Sequence, residues 1–232
     1  MNTKTEIFNK TIANLQNGTA MVRMKNRIIA DYDENSPVDN SQLPHLNQRI
    51  AVVMTQSVYE TLQMIADTTN GRGFEVPFVL FGKFDYDNQQ FVFDDVEGDA
   101  SVGDNPYEAN ASDYLENKVA EFLRGAHRAD DKVIAYGHTH PRAGAYYTNF
   151  SLGDMRGYVN MLKNPALKNI HMICGCLLTG GNFNFVLCHA DGSDVYRVDN
   201  VFVYKKDGNF LRLPCFGPDI ANMPRGQVRG RE

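Results

Sequence analysis

Two histidines separated by a single residue, His138 and His140, are the side chains in this sequence with the clearest capacity for chemistry. Ser151 and Asp154 follow them after a short connecting segment. Two imidazoles and one carboxylate make a three-ligand set, and a zinc ion that catalyses hydrolysis has three protein ligands and an open fourth position. The spacing is therefore compatible with a zinc centre formed by His138, His140 and Asp154.

Both halves of this pattern also have an interpretation without metal. An HxH pair on a strand is often only a surface pair. A serine followed three residues later by an acid, as in Ser151 and Asp154, is typical of a capping box, in which the serine begins a helix and the acid returns a hydrogen bond. From spacing alone, these residues fit a helix cap as well as a metal site.

Glu75 is a further candidate, because it lies within the apolar segment 74–82, which we predict to be a buried strand. Burial of an unpaired carboxylate is costly, and an acid in such a segment needs a metal, a base or a cation beside it. We therefore expect Glu75 to face one of these partners in the folded protein.

The two histidines can share one metal ion only if the backbone presents them on the same side. The sequence predicts a short β-branched strand at residues 132–136 that delivers the histidines at its end. Residues two apart on an extended chain face the same side, so His138 and His140 are predicted to point together and Thr139 away from them. Pro141 is predicted to end the strand, because it cannot donate to a strand ladder.

The rest of the chain alternates between predicted strands and helices. Strands are predicted at residues 50–54, 74–82, 91–93, 132–136, 170–178, 183–189, 195–198 and 201–204. Helices are predicted after Thr55 or Ser57, either of which can cap the first one, and at residues 112–126 and 151–162. Residues 94–112 have the acidic, Gly- and Asn-rich composition of an exposed loop. The alternation predicts an α/β fold, a mixed β-sheet with helices packed on it.

Length and composition define the class of protein. A chain of 232 residues, 43% of them hydrophobic, is long enough to bury one substantial core. We predict one domain at residues 49–205, an N-terminal extension at 1–48 and a C-terminal segment at 206–232 that is disordered after 221.

A net charge of -5 argues against nucleic acid as a partner. No apolar segment suits a membrane span or a signal peptide, and the four cysteines do not suggest a disulfide framework, so we expect a cytoplasmic protein.

The candidate residues together match a known arrangement: Glu75, then His138-Thr139-His140-Pro141, then Ser151-x-x-Asp154. This arrangement resembles the JAMM (MPN-plus, JAB-domain) zinc metalloprotease family, whose signature is a Glu on an early strand, then HxHP, then SxxD. The resemblance covers residues 49–205 and implies a cytidine-deaminase-like JAB/MPN domain. It also implies one catalytic Zn2+ held by His138, His140 and Asp154. Glu75 would be the general acid/base, and Ser151 would help to hold the developing oxyanion.

The same resemblance implies a metallopeptidase or isopeptidase that acts at the C-terminal tail of a ubiquitin-like or carrier protein. The motif leaves the type of scissile bond and the oligomeric state open. An alternative is a catalytically silent MPN-type scaffold that binds proteins, although such members typically lack one of the signature residues. Two features depart from the family pattern: Phe78 stands where a glycine is usual, and segment 142–150 is slightly long.

Other sites fit the sequence less well. The PCxxC motif of zinc deaminases and the HExxH motif of zincins are both absent from the sequence. Cys174 and Cys176 form a possible redox or second metal pair. Two cysteines at strand spacing are, however, more often small buried apolar side chains.

Overall fold

The computed structural model describes Leu43 and residues 50–101, 112–125, 132–141, 150–161, 173–179, 182–188 and 195–215. Within these residues nine strands form one mixed sheet: β1 Ala51–Thr55, β2 Pro77–Asp85, β3 Gln90–Gly98, β4 Lys132–Thr139, β5 Ile173–Thr179, β6 Asn182–Cys188, β7 Val195–Val198, β8 Val201–Tyr204 and β9 Phe210–Arg212. Three helices accompany them: α1 Gln56–Arg72, α2 Asp113–Arg124 and α3 Leu152–Met161. The α/β class with a mixed sheet is therefore confirmed.

The sheet has the strand order β7-β6-β5-β4-β2-β3-β1-β8-β9. β2 lies near its middle, where it pairs antiparallel with both β3 and β4. β4 in turn runs parallel to β5. The start of β2 and the end of β4 consequently lie side by side in the interior of the sheet.

The two central strands divide the apolar core between the two faces of the sheet. On β2, Leu80 belongs to the larger cluster, to which α1 contributes, and Val79 belongs to the smaller cluster, to which α2 contributes. β4 alternates in the same way, with Ala135 in the larger cluster and Ile134 in the smaller one. The even-numbered residues of β4 thus face the α2 side and its odd-numbered residues face the α1 side.

Local signals in the sequence fix the helix ends. Thr55 is the N-cap of α1, where its hydroxyl accepts a hydrogen bond from the backbone N–H of Val58, and Ser112 serves α2 in the same way. Gly73 ends α1 in the left-handed conformation, with φ of 76°, which a residue without Cβ adopts easily. The three predicted helices are confirmed, the first of them with Thr55 as its cap.

The structure corrects three predictions about strands. β2 begins at Pro77, so Glu75 lies just before this strand and not inside it. β3 continues to Gly98, because residues 94–98 pair with β2 although their composition predicted a loop. β9 was not predicted; its residues are exposed, and an exposed edge strand lacks the buried alternation by which a strand is recognised.

Several predictions fall on residues that the structure does not describe. They concern the N-terminal extension at 1–48, apart from the buried Leu43, and the disorder after residue 221. Cys174 and Cys176 lie in β5, whose side chains are outside the described part. Among the described helices, none combines the length and the apolar character that a membrane crossing requires.

Candidate metal centre

The candidate residues meet where the start of β2 lies against the end of β4. In the antiparallel register of these strands Pro77 is opposite His138. Continuing this register by two residues places Glu75, which precedes β2, opposite His140, which follows β4. Asp154 comes from a third segment of the chain, the first turn of α3. Residues that are far apart in sequence are thereby brought to one point at the end of β4.

The side chains at this point form a compact cluster. The Nε2 atoms of His138 and His140 lie 3.0 Å apart. A carboxylate contacts each ring: Glu75 Oε1 is 3.4 Å from His140 Nε2, and Asp154 Oδ1 is 3.5 Å from His138 Nε2. Glu75, His138 and His140 are buried, with exposed fractions of 7%, 6% and 8%. The prediction that Glu75 faces a base is therefore confirmed.

Three of these residues form a group that can hold a metal ion. One ligand atom from each of Glu75, His138 and His140 lies within 4.8 Å of the other two. Asp154 does not complete a second group of this kind with the two histidines, although it contacts His138. Among the described residues, the two histidine nitrogens and the Glu75 carboxylate therefore lie close enough together to share one metal ion. The Asp154 carboxylate lies at the edge of this group, in contact with His138.

Asp154 has a structural contact as well as the contact with His138. Its Oδ2 accepts a hydrogen bond of 2.7 Å from the backbone N–H of Ser151, and its own N–H donates to Ser151 Oγ at 3.1 Å. This is the capping box that the spacing predicted. The other carboxylate oxygen, Oδ1, faces the imidazole. The helix cap and the contact with the histidine therefore coexist, because each uses a different oxygen.

Tyr158 orients the imidazole of His138, and we did not predict its role. Its hydroxyl lies 3.3 Å from His138 Nδ1, and the ring of Phe150 packs edge-on against both aromatic side chains. When Nδ1 carries the hydrogen and donates it to the hydroxyl, Nε2 keeps the lone pair that a metal requires. Tyr158 follows Asp154 by four residues on α3, a spacing that places both on one helix face. This spacing of four residues is the sequence signal from which the role of Tyr158 can be predicted.

Charge in the cluster shifts the pKa values of the paired groups. Burial lowers the pKa of His138, but the charge and hydrogen bond of Asp154, together with the charge of Glu75, outweigh it and raise that pKa to about 9. For Asp154, burial raises the pKa, but His138 and His140 outweigh it and hold the pKa well below its usual range. In the metal-free protein His138 and Asp154 are therefore an ion pair at neutral pH.

We expect alkaline pH to weaken the metal-free fold through His138. The folded pKa of about 9 exceeds the ordinary value of 6.5, so the stabilisation is complete below pH 6.5 and is lost as the pH rises through 9. Urea unfolding in the presence of a chelator should give a lower free energy of unfolding at pH 10 than at pH 6, by up to about 3 kcal/mol.

His138→Gln, which cannot titrate in this range, separates this effect from other alkaline groups. The stability difference between wild type and His138→Gln should shrink between pH 6 and pH 10. An equal difference at both pH values would show that His138 is not held in its charged form.

No model of a known protein family matches this chain, and the comparison with curated proteins gives no match.

Proposed function

We propose that the protein is a zinc-dependent hydrolase of the JAMM (MPN-plus, JAB-domain) type, with a cytidine-deaminase-like JAB/MPN domain. The observation that carries this proposal is the meeting of two histidines and two carboxylates from three separate segments of the chain. Glu75, the HxH pair and Asp154 follow one another in the order of the family signature. Helices that contribute to core clusters on both faces of a mixed sheet are compatible with such a domain.

The donor set fits a zinc ion. Zinc–ligand bonds of about 2.0–2.1 Å in a tetrahedral site separate neighbouring ligand atoms by roughly 3.3 Å. The distances from His138 Nε2, 3.0 Å to His140 Nε2 and 3.5 Å to Asp154 Oδ1, lie on either side of that value, whereas Asp154 and His140 are farther apart in the metal-free structure. With neutral imidazoles the two carboxylates give the cluster two negative charges in a largely buried position, which a dication compensates. Imidazole and carboxylate are also common zinc ligands.

In this proposal His138, His140 and Asp154 hold the metal and Glu75 handles the proton. Zinc, when bound, supplies a Lewis acid that activates water and polarises the scissile carbonyl. The Glu75 carboxylate, 3.4 Å from His140 Nε2, accepts the proton from the attacking water and passes it to the leaving nitrogen. Transfer of this one proton lets the amine leave without a covalent acyl-enzyme.

Ser151 is suited to stabilise the oxygen that gains negative charge. Its Oγ accepts a hydrogen bond of 3.1 Å from the backbone N–H of Asp154. This bond uses a lone pair and leaves the hydroxyl hydrogen to donate to an oxyanion. Its position at the start of α3, next to the proposed ligand, supports this role.

The substrate class follows from the family resemblance. We propose the C-terminal tail of a ubiquitin-like or carrier protein, cleaved at a peptide or isopeptide bond. An extended tail presents free backbone groups that a sheet-containing protein can pair with. The net charge of -5 supports a protein substrate over nucleic acid.

Metal content and hydrolysis together test the proposal. Purified protein supplied with zinc at neutral pH should bind about one equivalent per chain, as expected for a site with three protein ligands. It should cleave linear and isopeptide-linked fusions of ubiquitin-like proteins, lose activity with a chelator and regain it with zinc. Less than about a tenth of an equivalent of zinc would contradict the metal site. Stoichiometric zinc without cleavage of any fusion would favour the silent scaffold.

A further inference from the structure

Two threonine hydroxyls lie on the opposite side of β4 from the histidines. Thr139, between His138 and His140, is fully buried and contacts Thr69 of α1, which is 1% exposed. We propose that these threonines are positioning residues, which hold the Glu75 carboxylate against His140. The proposal rests on the proposed function in one respect, namely that Glu75 transfers the proton.

Thr139 binds both main-chain polar groups of Val76, the residue that follows Glu75. The backbone N–H of Thr139 donates to the carbonyl of Val76 at 3.2 Å, and Thr139 Oγ1 accepts from the N–H of Val76 at 2.9 Å. β2 begins only at Pro77, which has no N–H to donate. A side-chain hydroxyl of Thr139 therefore takes part in attaching the Glu75 segment to the histidine strand.

The direction of the hydrogen bonds follows from counting hydrogens. Thr69 Oγ1 donates its single hydrogen to the carbonyl of Ile65 at 3.1 Å. In the contact between the two hydroxyls Thr139 must consequently be the donor and Thr69 the acceptor. The result is one directed chain from the Val76 N–H through Thr139 and Thr69 to the Ile65 carbonyl. Each hydroxyl accepts one bond and donates one, so the buried chain is fully satisfied.

Thr69 also fixes the chain on the other side of Glu75. Its carbonyl accepts a hydrogen bond of 2.7 Å from the N–H of Gly73, the C-cap of α1. Glu75 thus lies between Gly73, held by the Thr69 carbonyl, and Val76, held through the Thr139 hydroxyl. Two attachments to one helix residue restrict the short segment that carries the carboxylate.

Removal of either hydroxyl should loosen this segment and leave the metal ligands in place. In Thr69→Val the Thr139 hydroxyl loses the oxygen to which it donates. In Thr139→Val the backbone N–H of Val76 loses the hydroxyl oxygen that accepts its hydrogen bond. We expect kcat to fall about 10- to 100-fold, since small displacements of a catalytic group have effects of this size. KM and zinc content should be unchanged. Thr69→Ser and Thr139→Ser, which keep the hydroxyl, should restore kcat.

The test combines turnover with amide hydrogen exchange on the full-length chain. Exchange at Val76 should accelerate roughly tenfold or more in both valine variants, because its hydrogen bond is lost or weakened. Thr68→Val is the matched control: Thr68 precedes Thr69 on α1, and its hydroxyl bonds the Met64 carbonyl at 3.0 Å on the exposed side of the helix. It should change neither exchange at Val76 nor kcat.

Each outcome decides a different point. Unchanged exchange at Val76 in both valine variants overturns the inference, whether or not the protein hydrolyses any substrate. Faster exchange with wild-type kcat also overturns it, because the hydroxyls would then hold Val76 without positioning Glu75. Absence of zinc-dependent turnover in the wild-type protein is a failure of the proposed function, and the exchange rates still decide whether the threonine chain exists.

Discussion

Replacement of Glu75 by glutamine is expected to lower the turnover number of the zinc-loaded protein by about three orders of magnitude, within the range that general acid–base catalysis contributes. Glutamine keeps the shape of the side chain and an acceptor oxygen, but it cannot accept and return a proton at neutral pH. Since the residue is assigned to proton transfer, the zinc content should remain that of the wild-type protein. Steady-state kinetics and metal analysis on the same sample provide the measurement.

Glu97→Gln is the matched control for this experiment. Glu97 lies on β3, where it accepts a hydrogen bond of 2.7 Å from the Tyr114 hydroxyl and forms a 3.1 Å ion pair with Lys118. The same change there should leave turnover unaltered. Full activity of Glu75→Gln would assign the proton transfer to a different acid. Loss of zinc from the Glu75→Gln variant would show that Glu75 is itself a metal ligand. The short distances from Glu75 to both histidines permit that role.

Replacement of Asp154 by asparagine should weaken zinc binding by about 100-fold or more, because loss of a ligand exceeds the effects measured for outer-shell partners. Asparagine keeps an oxygen that can accept the 2.7 Å bond from the Ser151 N–H, so the start of α3 should survive. The charged oxygen that faces His138 is lost. Competition with a chromogenic chelator measures the affinity, and circular dichroism verifies the fold.

Asp113→Asn provides the corresponding control, because Asp113 is an exposed acid in the first turn of α2. It removes the same charge from the first turn of another helix and should leave zinc affinity unchanged. The single variant His138→Ala should also bind zinc more weakly than the wild-type protein, as Asp154→Asn does. Normal zinc content in both variants would show that the ligands have been assigned incorrectly.

The sequence predicted the contacts that depend on short-range geometry. The period of two on a strand placed His138 and His140 together with Thr139 opposite, and the spacing of Ser151 and Asp154 predicted the capping box. The structure has both features. Regularities of this kind extend over a few residues, and the amino-acid order alone is sufficient to recognise them.

Contacts between distant segments could not be predicted in this way. Glu75 was assigned to a strand because its neighbours are apolar, but Pro77 begins that strand and the acid precedes it. Its contact with His140 depends on the register of β2 against β4, which no local pattern specifies. The bond between Thr69 and Thr139 depends in addition on how α1 packs against the sheet. Only the assembled fold contains this information.

The register of β2 against β4 also determines when a folding chain brings the Glu75 carboxylate to the histidines. The bond between Val76 and Thr139 spans 63 residues, and contacts of such long range form slowly because a large loop must close first. A slip of one residue would turn the Glu75 side chain to the opposite face, away from both imidazoles. The proposed ligands His138, His140 and Asp154 all lie close together in sequence, after β2, so a metal ion can bind them whatever the register of β2. Correct pairing of the two strands therefore separates a chain that can transfer the proton from one that only binds the metal.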